Sequence, residues 1–217
     1  MHRTEIGLRP KRFFLIAEKP NTEKNSAHDE KSRHQRAKVF SEWVIDKLSL
    51  ETLKSGTLLD IAGGRGDLAF ELALNFDLKC IVVDPRNVTQ KVRRKYQRSK
   101  LKKMKKSGSN LFENYPEKFD FEFFQTYPHL KTETCLVLGL HPDQATEVLV
   151  DLCLKFNLKF AVIPCCVFAF ENPERKLKNG DAPNTYELFC DYLMEKSPEI
   201  RCESLNFHGR NKVLFNF

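Results

Sequence analysis

No stretch of this chain of 217 residues approaches the roughly 20 consecutive apolar residues that a membrane-spanning helix needs. The first residues carry no apolar core of the kind a secretory leader has, which is read as an expectation of an intracellular, cytoplasmic or nuclear protein, with an organelle matrix also open. The seven cysteines show no regular spacing, and no CxxC pair is present, so neither a disulfide framework nor a zinc finger is expected. They read as reduced thiols. Internal repeats are missing too. Acidic residues are absent from one stretch in particular: residues 91–106 hold ten Lys/Arg and no Asp or Glu. The formal charge of +7 is therefore local, since the remainder carries 26 cations against 29 acids.

What is present organises itself around Leu58-Leu59-Asp60-Ile61-Ala62-Gly63-Gly64-Arg65-Gly66-Asp67-Leu68-Ala69. A short apolar run breaks into a glycine turn, and a helical pattern through Leu68, Phe70, Leu72 and Ala73 follows at once. Strand, tight turn and helix start bring backbone N–H groups to a ligand. A second strand, Cys80-Ile81-Val82-Val83-Asp84, ends in an acid about 20 residues after the turn, where a ribose hydroxyl pair is held. Gly64-Arg65-Gly66-Asp67-Leu68-Ala69 also satisfies the loose dinucleotide pattern, so the glycines alone leave a nicotinamide cofactor open. Asp60 tips the balance. A carboxylate just before the turn suits an amino group and a positive charge, and would repel a pyrophosphate. Asp67 reads as a cap of the helix that follows.

Residues 1–31 read as an N-terminal arm, with a polar loop from Lys19 to Glu30. A helix is expected from about Ser32 to Leu48, anchored by Trp43. Phe119-Asp120-Phe121-Glu122-Phe123 alternates apolar and acidic residues and predicts an edge strand. Thr134 to Leu140 and Phe160 to Pro164 predict buried strands. A helix opens after His141-Pro142-Asp143-Gln144, with Val148, Leu149, Leu152 and Phe156 on its buried face. Glu171 to Asn184 reads as a charged loop, Tyr186 to Lys196 as a helix, and Arg201–Phe207 with Lys212–Phe217 as a hairpin. Strands alternating with helices predict an α/β fold with a doubly wound, mostly parallel sheet that ends in an antiparallel hairpin.

Four strand ends then converge on one crevice: Ala62–Gly66, Asp84–Arg86, His141–Gln144 and Pro164–Cys166. His141 sits where a base near neutral pH could act, or where a turn histidine stands. Asp143 is either a reacting acid or a helix N-terminal one. Cys165 and Cys166 could supply a nucleophile or, with Cys190, Cys202 or His208, zinc ligands; small apolar lining of a pocket is the preferred reading. No metal is expected.

These residues resemble the Rossmann-like S-adenosylmethionine (SAM) methyltransferases. Their first motif, Asp-x-Gly-x-Gly-x-Gly, is met at Asp60 to Gly66 with Ala62 in place of the first glycine. Val82-Val83-Asp84-Pro85-Arg86, Gly139-Leu140-His141-Pro142-Asp143-Gln144-Ala145-Thr146 and Ile163-Pro164-Cys165-Cys166 are similar to the family with a Pro-Cys-Cys strand end. That family includes the methyltransferase part of the glutathione S-transferase C-terminal-domain-containing protein and, at a distance, the tRNA acceptor-stem 2′-O-methyltransferase. The resemblance covers about residues 32–217, read as one methyltransferase domain. It implies SAM as cofactor, held by Asp60, Ala62, Gly63, Gly64, Gly66, Asp84 and Pro85, and it leaves the acceptor open. Where relatives have Ala-Cys-Gly after the histidine, Pro142-Asp143-Gln144 stands here. No Asn-Pro-Pro-Tyr follows the fourth strand, which argues against an exocyclic base amine as acceptor.

The basic run supplies enough charge to neutralise several phosphates. Arg93, Arg94, Lys95, Arg98, Lys102 and Lys103 are the expected RNA contacts, with Tyr96, Phe112 and Tyr115 as stacking candidates. A solvated lysine-rich helix or an import signal is the bland alternative. RNA methylation is the preferred reading. A methyltransferase of small molecules or proteins, a degenerate RNA-binding scaffold, and a nicotinamide dehydrogenase are the competing classes. The oligomeric state is not legible.

Overall fold

The computed structural model describes residues 22–86 and 111–217, with side chains from residue 32 onward. The basic run, with Arg93, Arg94, Lys95, Tyr96, Arg98, Lys102 and Lys103, lies outside the described residues, as do the first 21.

Strand β1 (Thr57–Ile61) is buried at every position and lies inside a sheet of seven strands, beside the central one. The others are β2 (Cys80–Val83), β3 (Glu113–Tyr115), β4 (Thr134–Leu140), β5 (Phe160–Ile163), β6 (Arg201–Ser204) and β7 (Lys212–Phe215). Their order is β3-β2-β1-β4-β5-β7-β6. The first five run parallel, with Asp60 beside Val82 on one side and Leu138 on the other. β7 is antiparallel to β5, and β6 to β7. The fold is Rossmann-like and ends in the expected hairpin.

Alternate residues of the central strands bury opposite faces, which is why the strands read as continuous apolar runs. Leu58, Val82, Leu136 and Ile163 pack with Phe40 and Val44 of α1 (Thr22–Lys47), Leu53 of α2 (Leu50–Lys54), and Leu68 and Leu72 of α3 (Asp67–Phe76). Leu59, Ile81, Val137 and Val162 pack under α4 (Phe123–Thr126), α5 (Leu130–Glu133), α6 (Ala145–Lys155) and α7 (Tyr186–Met194). Trp43 ties α1 to the hairpin: its ring meets Phe215 edge-on at 5.1 Å and its Nε1–H donates to Glu203 Oε2 at 2.9 Å.

Three local expectations are corrected. α1 begins at Thr22, inside the stretch read as a loop. Its first turns hold Glu, Lys and Ala and neither Gly nor Pro, so nothing stops the helix. Phe119–Phe123 is not a strand. Asp120 Oδ1 accepts the Glu122 and Phe123 N–H groups at 3.0 and 3.1 Å, folding the chain into a turn and then α4, with Phe119 and Phe123 both buried. The edge strand is instead β3. On α6, Val148 faces outward at 37% exposure, while Val150 and Cys153 are fully buried. Among the described residues no helix is long and apolar enough to cross a membrane.

Candidate active site

The chain leaves β1 toward β2 and β3 and returns to β4 on β1's other side, so the crevice between the ends of β1 and β4 is the topological switch point. Ala62 follows β1 and His141 follows β4. Both have positive φ, 50° and 54°, and Asp143 joins them at 50°. Left-handed backbone costs a side-chain-bearing residue roughly 1–2 kcal/mol, and here three such residues gather at one crevice.

The glycine turn is shaped by Asp60. A Cβ on Gly63 would lie 2.5 Å from Asp60 Oδ2, so only glycine allows the turn to cross the carboxyl. Gly66 has Phe112 against it at 2.7 Å from a would-be Cβ. That places Phe112 in the core rather than on a surface able to stack bases. Gly66 itself is the N-cap of α3, so Asp67 is the first helical residue and not the cap. Asp60 is 2% exposed. Its Oδ2 accepts the Ala69 N–H at 3.3 Å, while its buried Oδ1 has no hydrogen-bond partner. Burial, with smaller contributions from Asp67 and Asp84, pushes its pKa up to about 7 against the pull of the Ala69 N–H.

Asp84, just past β2, is also buried. Its Oδ2 accepts from Gly64 N–H at 2.8 Å and Arg86 Nη2 at 2.7 Å; its Oδ1 accepts from Arg86 N and Nε at 2.9 and 2.8 Å. Burial would raise its pKa, but the Arg86 and Gly64 donors outweigh it and hold the carboxyl below the usual range. Arg86 itself is 71% exposed at its side chain, so it covers the carboxylate from the solvent side. Pro85 is exposed beside it. Gly64, Asp84, Arg86, Asn114 and Tyr115 line a nook of about 30 Å³ there, room for a water. Tyr115 packs against Tyr127 at 4.7 Å between ring centres.

On the β4 and β5 side a second, larger cavity of about 750 Å³ is lined by Arg36, His141, Cys165, Phe207, His208 and Arg210 among others. His141 has both ring nitrogens engaged: Nδ1 meets Arg36 Nη1 at 3.2 Å and Nε2 meets the Arg210 carbonyl at 2.9 Å. A guanidinium only donates and a carbonyl only accepts, so the ring is the neutral Nε2–H tautomer. Burial lowers its pKa and Arg36 and Arg210 add to this, against the Arg210 carbonyl and Asp143.

Cys165 donates its S–H to Asp143 Oδ1 at 3.0 Å. Burial and the adjoining carboxylate push the thiol far up, the opposite of what a thiolate nucleophile needs. Asp143, Cys165 and Cys166 do bring three donor atoms within 4.8 Å of one another, one fewer than a closed zinc tetrahedron takes. The sequence placed His141, Asp143 and the cysteines near one another; in the structure His141 and Cys165 line the larger cavity, Cys165 bonds to Asp143, and Asp84 lines the smaller one. The sequence did not single out Arg36, Phe207 or Arg210. They sit on a helix and a hairpin far away in sequence and carry no motif; only Arg86 lay within a stretch already marked.

A family model described as a methyltransferase domain matches residues 32–172. The chain belongs to this methyltransferase family. No curated protein matches it by sequence. Among solved structures, a candidate SAM-dependent methyltransferase from Methanococcus maripaludis superposes with a TM-score of 0.50 at 11% identity, covering 97% of this chain and 96% of that one. The likeness is of fold. A precorrin-6y C5,15-methyltransferase from Geobacter metallireducens has a TM-score of 0.42 at 13% identity, covering 76% and 82%. Methyltransferase membership, with the antiparallel final hairpin, sets the nicotinamide reading of the glycine turn aside.

Proposed function

We propose that this methyltransferase uses SAM and that its acceptor is RNA. The cofactor reading is carried by one observation: a buried carboxylate oxygen, Asp60 Oδ1, without a partner beside a turn only glycine can make. Such an orphan is costly unless a ligand donor completes it, and the amino group of SAM is a cationic donor. The residues present fit the group. Asp60 would take the amino group, Ala62, Gly63, Gly64 and Gly66 would lie along the body of the ligand, and Asp84 would take the ribose hydroxyls next to Pro85. Since all four bonds to Asp84's carboxylate oxygens involve Arg86 or Gly64, a diol there displaces the Arg86 side chain. Bound in this crevice, SAM supplies a methyl group activated by its sulfonium. His141, Asp143 and Cys165 then flank the acceptor's side. Their part is to orient the acceptor and hold its proton; Cys165, protonated and tied to Asp143, acts as a donor and not as a nucleophile.

RNA as acceptor rests on the ten cations of residues 91–106, which follow Asp84 by a few residues, and on the resemblance of the Pro-Cys-Cys strand end to methyltransferases that include, at a distance, a tRNA-modifying one.

The test is thermal melting with S-adenosylhomocysteine, with NAD as control. At about 100 times its dissociation constant a native-state ligand adds roughly 2.7 kcal/mol, a rise on the order of 5–10 °C for a domain of this size. Asp84→Ala should remove most of that rise while the unliganded protein still melts cooperatively. A rise with NAD alone, or with neither ligand, would overturn the cofactor assignment.

A further inference from the structure

The cavity beside His141 is lined by two arginines, Arg36 and Arg210, and two histidines, His141 and His208, without a carboxylate. Its volume of about 750 Å³ is that of a cleft for a ligand of nucleotide size. Arg36 is the telling residue. It is half-buried, yet its partners are neutral: Nη1 donates to His141 Nδ1 at 3.2 Å and Nη2 to Ser32 Oγ at 2.9 Å, while its buried Nε has no hydrogen-bond partner. No carboxylate pairs with it among the described residues. A guanidinium held this way offers a planar fork to an incoming anion, and phosphate is one of the groups that fork takes bidentately. Phe207 stands at the same wall, its ring edge-on to His141 at 6.3 Å between centres, an apolar surface beside the cations where a base can lie.

We propose that this cavity binds a phosphate of the acceptor nucleotide, gripped by Arg36 with Arg210 and His208, and that the phosphate draws Arg36 off His141 to free Nδ1. The inference rests on the methyltransferase reading above, since it places the acceptor at this end of the crevice. With Arg36 on the phosphate, the Nδ1 lone pair takes the proton of the acceptor's O–H or N–H. The imidazolium so formed keeps its Nε2–H on the Arg210 carbonyl, and Asp143 on the same turn favours the positive charge. The groups that face His141 are Arg36 from α1, Arg210 from the hairpin, Asp143 from its own turn and Cys165 from the end of β5. Of these, Arg36 and Arg210 oppose protonation, and Arg36 is the one whose guanidinium occupies Nδ1. Acceptor binding and the availability of a base are thereby one event.

The experiment titrates the full chain, saturated with S-adenosylhomocysteine, with the four ribonucleoside 5′-monophosphates, the matching nucleosides and inorganic phosphate by calorimetry. The His141 imidazole nitrogens are followed by NMR. Expected are nucleotides bound at least 10-fold more tightly than nucleosides or phosphate alone, and a His141 midpoint that rises on nucleotide addition. Arg36→Gln, which keeps neutral donors toward Ser32 and His141, should lose most of the 10-fold preference and the midpoint rise. Arg210→Gln, on an exposed turn, should weaken nucleotides by a smaller factor. Equal binding of nucleosides and nucleotides, phosphate binding as tight as nucleotide binding, or an unchanged preference in Arg36→Gln would each overturn the assignment. Failure of the cofactor reading shows separately. It appears as nucleotide binding without any melting response to S-adenosylhomocysteine, and the anion site survives that result.

Discussion

Asp60 illustrates how a single buried carboxyl links folding, pH and ligand. Its pKa of about 7 in the folded protein exceeds the usual carboxyl value because water is excluded and only one N–H compensates. Between about pH 4 and 7 the folded chain therefore keeps a proton that the unfolded chain has lost. Stability conferred by the protonated form is full below pH 4 and declines as pH rises through 7, by about 1.4 kcal/mol per pH unit. His141, with its lowered pKa, contributes with the opposite sign around its own titration, so the comparison must be with a variant. Asp60→Asn keeps an acceptor for Ala69 and carries no titration. Denaturant unfolding of the unliganded wild type should lose about 2 kcal/mol relative to Asp60→Asn between pH 5 and 7. The ligand reverses the sign. An ammonium group prefers the carboxylate, so S-adenosylhomocysteine should bind more tightly as pH rises from 5 to 8, and the variant should show no such gain. Parallel pH profiles for the two proteins would mean that Asp60 is not the titrating group.

At the scale of elements, the long segment between β5 and α7 is fastened by one buried arginine. Arg175 is 7% exposed; its Nε donates to Glu147 Oε2 at 2.6 Å and its Nη1 to the Val167 carbonyl, with its guanidinium over the Phe189 ring at 5.0 Å. Glu147 also accepts from Tyr192 Oη, and pairs with Lys196 at 2.8 Å. Burial would raise the Glu147 pKa, but the Lys196 and Tyr192 donors hold it below the ordinary range. Arg175→Leu strands part of that network and should cost about 3 kcal/mol, at the low end for a broken buried pair because Lys196 still neutralises Glu147. Hydrogen exchange should then rise in residues 165–168 ahead of the central strands; uniform loosening would mean that Arg175 does not fasten this segment. None of this was legible in the sequence, where Arg175 is one charge among several in a polar stretch. β1, β2, β4 and β5 were legible because each is a contiguous apolar run with both faces buried. The glycine turn was legible because its chemistry is local. β3 was missed, since three residues paired on one side leave no periodic trace, and Phe119–Phe123 misled because Asp120 turned an alternating pattern into a helix start. The acceptor cavity was only half visible. His141 and Cys165 stand at strand ends, but Arg36 and Arg210 reach it across 105 and 69 residues of sequence from His141.

For the molecule as a whole, the charge distribution makes a claim that can be read as a slope. The net charge of +7 becomes −3 without residues 91–106, so long-range attraction for a polyanion originates in one segment. The cavity with Arg36 and Arg210 is a separate feature that acts at contact distance. These two sources separate under salt. Binding that releases counterions weakens with a logarithmic slope of about 0.7 per phosphate neutralised on a single strand, whereas contacts inside a half-buried cleft are screened much less. Replacing Lys100, Lys102, Lys103, Lys105 and Lys106 by serine takes five charges from the segment and alters none of the described residues. For a single-stranded RNA of about 15 nucleotides the slope should fall by about 2–4, the melting response to S-adenosylhomocysteine should stay as in the wild type, and the nucleotide preference assigned to Arg36 should persist. An unchanged slope would remove the segment from the RNA interface and return the acceptor to the small-molecule class. A lost response to S-adenosylhomocysteine would instead tie the segment to the cofactor crevice, which begins at Asp84 only a few residues before it.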